Sequence, residues 1–134
     1  MAFDRFNLLL VEPHFVLRST VTSVARSLDL GEIHAAPSRE AASQMLVARR
    51  FDAFVIAVGP DGEGLKLINA IRAGTGRSSR DAAVVVMAEF CDERAILAFK
   101  ELKVRRILLK PFKVKDVLET IQALAQLEHH AVAG

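Results

Sequence analysis

The chain has 134 residues, of which 51% are hydrophobic, with a formal net charge of +2 and one cysteine, Cys91. This length fits one domain, and the apolar fraction is too high for a disordered chain. No apolar run approaches the roughly 20 residues that span a bilayer, one cysteine permits no intrachain disulfide, and the net charge is too small to indicate nucleic acid. Because the first residues lack a signal-peptide pattern, we expect a cytoplasmic protein.

Five short apolar segments have the length and composition of β-strands. In chain order they are Leu8–Val11, Ile33–Ala35, Ala53–Val58, Ala83–Ala88 and Ile107–Leu109. Three of them are continuously apolar instead of alternating. This pattern is typical of parallel strands that are covered by helices on both faces.

Between these segments, apolar residues recur at the spacing of amphipathic helices. The five stripes are Leu17, Val21, Val24 and Leu28; Ala42, Met45 and Leu46; Leu65, Ile68 and Ile71; Ala95, Phe99 and Leu102; and Val114, Val117, Leu118, Ile121 and Leu124. Ser38 and Asp92 precede the second and fourth stripes and are predicted to cap those helices. A polar loop is expected over residues 74–80.

The regular alternation of strand and helix predicts an α/β fold of the (βα)₅ type. Such a chain forms a five-stranded, doubly wound parallel sheet with right-handed crossovers and helices on both faces. Functional groups in these sheets gather at the carboxyl ends of the central strands. Those ends are the segments Val11–Pro13, Ile56–Val58, Met87–Glu89 and Leu109–Pro111.

Five segments of the sequence together resemble the receiver domain of bacterial response regulators, in its stand-alone chemotaxis form. They are Leu8–Pro13, Phe51–Ala57, Gly64–Ile68, Val84–Ala88 and Leu108–Phe112. The resemblance covers residues 7–127 and leaves residues 1–6 as a lead-in and 128–134 as a C-terminal tail. It implies the flavodoxin-like strand order 2-1-3-4-5. It also implies a cis peptide bond before Pro111, although only about 5% of X-Pro bonds are cis.

The resemblance implies a specific chemistry at the strand ends. A working receiver holds Mg²⁺ with an acidic pair after the first strand and an aspartate that ends the third. That aspartate is the nucleophile for a phosphoryl group, and the metal and a lysine after the fifth strand stabilise the transferring charge. A serine or threonine ending the fourth strand binds phosphoryl oxygens, and an aromatic residue on the fifth strand reports the modification.

The sequence departs from this pattern at all but one of these positions. The acidic pair is reduced to Glu12-Pro13, which leaves one carboxylate. Ala57 stands at the acceptor position, Met87 at the hydroxyl position and Ile107 at the aromatic position. Mg²⁺ keeps its waters unless carboxylates or phosphates replace them. We therefore expect no metal cofactor, no phosphorylation at this position and no enzymatic activity.

Two contacts are predicted around the altered positions. Lys110 keeps the lysine position, and a partly buried ammonium is costly without a partner. Glu12 is the nearest anion for it, and the alternative is that Lys110 reaches solvent or a backbone carbonyl. Met87 is predicted to lean over Ala57 and fill the space of the missing carboxylate, because methionine fills irregular gaps well. Alternatively, Met87 points elsewhere.

Basic residues cluster late in the chain and are predicted to border the fourth helix, the fifth strand and the fifth helix. They are Lys100, Lys103, Arg105, Arg106, Lys113 and Lys115. The family that the chain resembles uses this face for partner binding and dimerisation. The simple interpretation is a solvated rim, and the sharper one is a surface for an acidic protein or a phosphate-bearing ligand. No aromatic residues are interleaved to stack bases, so nucleic acid is not an expected partner.

Three functions fit the sequence. The first is a pseudo-receiver of the two-component type that acts through phosphorylation-independent contacts, with a histidine kinase, another signalling protein or a second copy as partner. The second is a module for an anionic small ligand such as a cyclic dinucleotide, which the basic residues suggest. The third is a phosphorelay receiver with a displaced acceptor. It ranks last, because the metal ligands are missing together with the nucleophile.

Overall fold

The computed structural model describes residues 6–133, with side chains described over residues 6–127. Its strands are β1 (Asn7–Val11), β2 (Glu32–Ala36), β3 (Ala53–Val58), β4 (Ala83–Ala88) and β5 (Arg106–Leu109). Its helices are α1 (Phe15–Ser27), α2 (Arg39–Ala48), α3 (Glu63–Arg72), α4 (Glu93–Glu101) and α5 (Val114–Ala133). All five predicted strands are confirmed. Most of the predicted lead-in lies outside the described residues, and α5 runs through most of the predicted tail.

The five strands form one parallel sheet in the order β2-β1-β3-β4-β5, which confirms the predicted order. The central strand β3 pairs with β1 on one side and with β4 on the other. Strand order therefore reverses between β1 and β3, and the chain leaves the two strands in opposite directions. Such a reversal opens a crevice at the carboxyl ends of the strands.

Each face of the sheet is covered by its own apolar layer. Phe54 and Ile56 of β3 point into the layer formed with α2, α3 and α4, whereas Val55 points into the layer formed with α1 and α5. This alternation follows from the two-residue period of a strand. Because both faces are buried, the central strands are apolar throughout, as the sequence indicated. No helix within the described part of the chain is long and apolar enough to cross a membrane.

The two predicted helix caps are both present. The Ser38 side chain accepts a hydrogen bond from the Ala41 amide at 3.2 Å, and Asp92 accepts one from the Ala95 amide at 2.8 Å. Each cap satisfies one amide of the first helical turn that has no partner within the helix. The caps therefore set where α2 and α4 begin.

The strands begin at one edge of the sheet, called here the amino edge, where Arg72 joins two loops. Its guanidinium donates hydrogen bonds to the carbonyl oxygens of Leu102 at 2.8 Å and of Arg80 and Ala82 at 2.7 Å each. Burial lowers the pKa of this guanidinium from its usual value. The connections α3–β4 and α4–β5 are thus attached to the end of α3 by a single side chain.

Candidate functional site

The strand ends meet, as predicted, around a cleft of about 440 Å³, called here the carboxyl-edge cleft. It is lined by all the altered positions except the aromatic one, namely Glu12, Pro13, Ala57 and Met87, and by Lys110. Parallel pairing explains this assembly, because the carboxyl ends of parallel strands lie at the same edge of a sheet. The predicted assembly of these strand ends at one edge of the sheet is therefore present in the structure.

Helix α3 approaches the end of β3 closely, and a glycine makes this possible. A Cβ atom added to Gly64 would lie 2.5 Å from the carbonyl oxygen of Ala57, which no side chain tolerates. Gly62, which precedes α3, has a left-handed backbone with φ of 76°. The short β3–α3 connection and Gly64 in the first turn of α3 thus form one wall of the cleft.

Ala57 and Met87 are paired across β3 and β4 in the sheet register. Met87 is buried in the α1–α5 layer, against which the half-buried Ala57 also packs. The two residues are neighbours, and the filling of the space of the missing carboxylate by Met87 stays a prediction. Both residues line the cleft, which stays open in front of them. Met87 is a wall of the cleft because its strand position directs the thioether into the apolar layer.

Glu12 follows β1 directly, and its side chain is fully buried at the cleft. Its Oε2 atom accepts a hydrogen bond from the backbone amide of His14 at 2.9 Å and lies 2.9 Å from the His14 Nδ1 atom. The carbonyl oxygen of Glu12 accepts a hydrogen bond from Arg18 at 2.9 Å. The two His14 contacts hold the carboxylate through Oε2, and the Arg18 contact holds the backbone of the same residue.

The second oxygen, Oε1, lies 3.8 Å from the Lys110 Nζ atom, so the predicted ion pair is confirmed. That distance is too long for a hydrogen bond, and Oε1 accepts none from any residue in the described part of the chain. A buried carboxylate with one unsatisfied oxygen is poorly compensated even beside a cation. The peptide bond between Lys110 and Pro111 is cis, as the resemblance implies.

The loop carboxylates near the cleft take part in local contacts. Asp61 accepts a hydrogen bond from the Glu63 amide at 3.1 Å. Glu63 pairs with Lys66 at 3.0 Å and with Arg39 at 3.1 Å, and hydrogen bonds from Lys66 and then Arg39 lower the pKa of its carboxyl group. Among the residues whose side chains are described, no three His, Cys, Asp or Glu side chains are arranged to hold a metal ion.

The six basic residues border α4, β5 and α5 as predicted, and all are exposed. They do not form one cluster, however. The group toward the amino edge is Lys100, Lys103, Arg105 and Arg106, and the group at the carboxyl edge is Lys113 and Lys115. The four residues of β5 separate the groups by about 13 Å at the usual rise of a strand. The sequence alone did not predict this split, because it depends on where the elements lie in the fold. Helix α4 ends and β5 begins at the amino edge, whereas α5 begins at the carboxyl edge.

The same part of the surface carries apolar side chains that the sequence analysis did not single out. Leu97 and Ile96 of α4 are 61% and 39% exposed, and Leu109 of the edge strand β5 is 49% exposed. Ile107 is half-buried against the α2–α4 layer. A signal was available, because Ile96 and Leu97 fall outside the predicted apolar stripe of α4. The three exposed residues are called here the α4–β5 face.

No family model matches the chain, and no curated protein matches it either. Solved structures do match. The Vibrio cholerae chemotaxis protein CheY4 superposes with a TM-score of 0.76 at 19% identity, over 88% of this chain and 97% of that chain. The non-phosphorylated HemR receiver domain from Leptospira biflexa gives 0.75 at 22% identity, over 89% of this chain and 93% of that one.

A response regulator from Thermotoga maritima is similar to the same extent, with a TM-score of 0.72 and 21% identity. That match covers 90% of this chain and 97% of the other. The three matches therefore cover most of this chain and almost the whole length of each solved protein. At such low identity, the similarity shows the fold of the backbone alone. The chemistry of the strand ends follows from the side chains of this chain. The chain has the flavodoxin-like fold of CheY-like receiver domains.

Proposed function

We propose that this protein is a receiver-like signalling protein that acts through protein contacts and accepts no phosphoryl group. The observation that carries the proposal is Ala57, the second-to-last residue of β3, which stands at the position where the resembling family has its acceptor aspartate. A methyl group has no lone pair and cannot act as a nucleophile. In this proposal the protein is not an enzyme and needs no Mg²⁺.

The other altered positions support the same proposal. Pro13 removes one of the two carboxylates that would follow β1, and Glu12 is already engaged by His14 on one oxygen. Met87 has no hydroxyl group to bind a phosphoryl oxygen and is buried in the core. A receiver that had lost only its acceptor would keep these groups. Their joint absence favours a scaffold that signals by another route.

The α4–β5 face supports a protein partner. Helix α4 carries the exposed Leu97 and Lys100, and the edge strand β5 carries the exposed Leu109 and Arg106. Apolar contact provides most of the affinity of a typical interface, and a charged rim steers the approach of its partner. The expected partner is a histidine kinase, another signalling protein or a second copy, with acidic groups around an apolar patch.

The alternatives have less support. The anionic-ligand function was suggested by the basic residues, which lie in two groups instead of one pocket. A displaced acceptor would have to be Asp61 or Glu63, and both make the local contacts given above. The lysine that pairs with Glu63 is the exposed Lys66, whereas Lys110 pairs with Glu12.

A matched pair of variants tests the proposal. Leu97→Glu places a charge on the α4–β5 face, whereas Leu28→Glu places one on a leucine that is equally exposed, at 59%, at the end of α1. Each variant and the natural protein would be used to capture proteins from the host, with and without acetyl phosphate and Mg²⁺. We expect one partner that Leu97→Glu loses and Leu28→Glu keeps, at a level that acetyl phosphate does not change. A partner captured only after acetyl phosphate treatment would contradict the proposal.

A further inference from the structure

The buried carboxylate of Glu12 has one oxygen without a hydrogen bond from any described residue, and this residue lines the carboxyl-edge cleft. The Glu12 side chain is fully buried, so open solvent does not surround that oxygen. An unsatisfied buried acceptor is unfavourable, and its charge adds to the cost. Lys110 offsets part of this cost from 3.8 Å, beyond hydrogen-bond distance. Glu12 Oε1 is thus a buried acceptor that a hydrogen-bond donor, preferably a cation, would satisfy if it reached this oxygen from the cleft.

Most of the charged residues that line the cleft are acidic. Five carboxylates line the cleft against two permanent cations: Glu12, Glu40, Asp61, Glu63 and Glu89 against Arg39 and Lys110. Arg39 is already paired with Glu63 at 3.1 Å. A concave site with such an excess of negative charge concentrates cations and repels anions.

The floor and walls of the cleft are apolar. Ala57, Met87 and Leu67 line it together with Val11 and Val58. A small inorganic cation would gain nothing from these surfaces and would lose water there. An organic cation with an apolar stem would bury the stem against them and place its charged end at Glu12.

We propose that the carboxyl-edge cleft binds a guanidinium group carried on a short apolar stem. A guanidinium is weakly hydrated and has five donors in a planar fork, so it tolerates burial better than an ammonium does. One N–H would donate to Glu12 Oε1, and others would face the acidic rim formed by Asp61 and Glu89. The side chain of Lys110 is 26% exposed and can turn toward solvent, so that the guanidinium replaces it as the counterion of Glu12.

Because the guanidinium would replace Lys110 beside Glu12, the proposal predicts that substitutions of these two residues change the binding affinity in opposite directions. Lys110→Met removes the competing cation and should tighten guanidinium binding several-fold. Glu12→Gln removes the charged acceptor and should weaken binding by about tenfold or more, as expected for hydrogen bonds to charged groups. Glu101→Gln, on an exposed residue near the end of α4, is the matched control and should change nothing.

The test is a titration of the ¹⁵N-labelled full chain with n-butylguanidinium, followed by NMR. We expect saturable shifts of the amides of Glu12, Ala57 and Met87, with butanol and inorganic phosphate giving none. Ala57→Leu fills the cleft with a neutral side chain and should abolish the shifts. This variant keeps the proposal testable if Glu12→Gln does not fold.

Titration with blocked N-acetylarginine methylamide distinguishes two sources of the group. If it binds at least as tightly as n-butylguanidinium, the cleft takes an arginine side chain of a protein, and if it binds much more weakly, the ligand is a free small molecule. The proposal is overturned if n-butylguanidinium causes no saturable shifts at tens of millimolar. It is equally overturned if Glu12→Gln and Glu101→Gln bind alike, or if Lys110→Met weakens binding. None of these outcomes depends on whether the protein accepts a phosphoryl group.

Discussion

The two edges of the sheet are built differently although the same five strands supply both. At the amino edge, polar groups have protein partners: Arg72 donates to four carbonyl oxygens, and Asp52 accepts from the Asn7 amide at 2.8 Å. Ser78 in the α3–β4 loop accepts from the Phe51 amide at 2.9 Å. At the carboxyl edge, Glu12 keeps an unsatisfied oxygen beside an open cleft.

This difference indicates which parts of the molecule serve stability and which are free to change. A hydrogen bond whose loss leaves a buried group unsatisfied contributes to stability, and the amino edge has several. In the proposed function, the side chains at the carboxyl edge differ from those of a working receiver, while the backbone keeps the fold of CheY-like receiver domains. Function thus resides in a site placed on the fold, and the fold alone does not determine it.

The largest expected effect comes from placing the same charge at the two ends of β3. Ala53 and Ala57 lie on one strand and pack toward the same layer, but Ala53 is 1% exposed whereas Ala57 is half-buried at the cleft. Ala53→Asp buries an unpaired carboxylate and should lower the free energy of unfolding by about 3 kcal/mol or more. Ala57→Asp should change it by about 1 kcal/mol or less, because its carboxylate reaches the cleft and Lys110.

Urea denaturation of both variants measures this difference. An equal decrease in the free energy of unfolding of both variants would mean that the carboxyl edge is as intolerant of a buried charge as the amino edge. The proposed difference between the two edges would then be contradicted.

The next effect concerns the side chain that joins the amino-edge loops. Arg72→Met keeps the apolar stem and removes the guanidinium, which leaves carbonyl oxygens without their donors. We expect the free energy of unfolding to fall by about 3 kcal/mol or somewhat less. Arg94→Met, on an exposed arginine of α4, is the control and should stay within about 0.5 kcal/mol of the natural protein. Similar values for the two arginine variants would show that the amino edge does not depend on this network.

The smallest effect is a pH dependence near β2. Burial lowers the pKa of His34 from its ordinary value of 6.5, and the charges of Arg49 and Arg26 act in the same direction while Glu32 opposes them. The unfolded chain therefore takes up this proton at a higher pH than the folded one does. The contribution is fully present above about pH 6.5 and is lost as the pH falls through the unfolded and then the folded pKa.

Thermal melts between pH 7.5 and pH 5 check this prediction. The natural protein should lose stability toward acid more steeply than His34→Gln does. A difference of the opposite sign would indicate that Glu32 outweighs burial and the two arginines.

Much of the fold is readable from local patterns. The apolar runs of β3 and β4 and the caps Ser38 and Asp92 depend on neighbouring residues alone, so the sequence predicts them directly. Parallel pairing then brings Ala57 and Met87 together without further information.

What the sequence does not predict depends on packing and on distance in three dimensions. Whether Met87 fills the space of the missing carboxylate or lies in the wall of the cleft depends on the direction of its thioether. That direction is determined by the packing of the α1–α5 layer. The contacts of Arg72 join loops that are about 10 and 30 residues away along the chain. The 3.8 Å between Glu12 and Lys110 leaves an oxygen unsatisfied, and no sequence pattern gives a distance to that accuracy.

The central claim is that this receiver fold accepts no phosphoryl group. Intact-mass spectrometry of the full chain after incubation with acetyl phosphate and Mg²⁺ tests it most directly, with a receiver that has its acceptor aspartate treated in parallel. We expect the parallel protein to gain mass and this chain to keep its own mass unchanged. A stoichiometric gain of one phosphoryl group by this chain would contradict the claim.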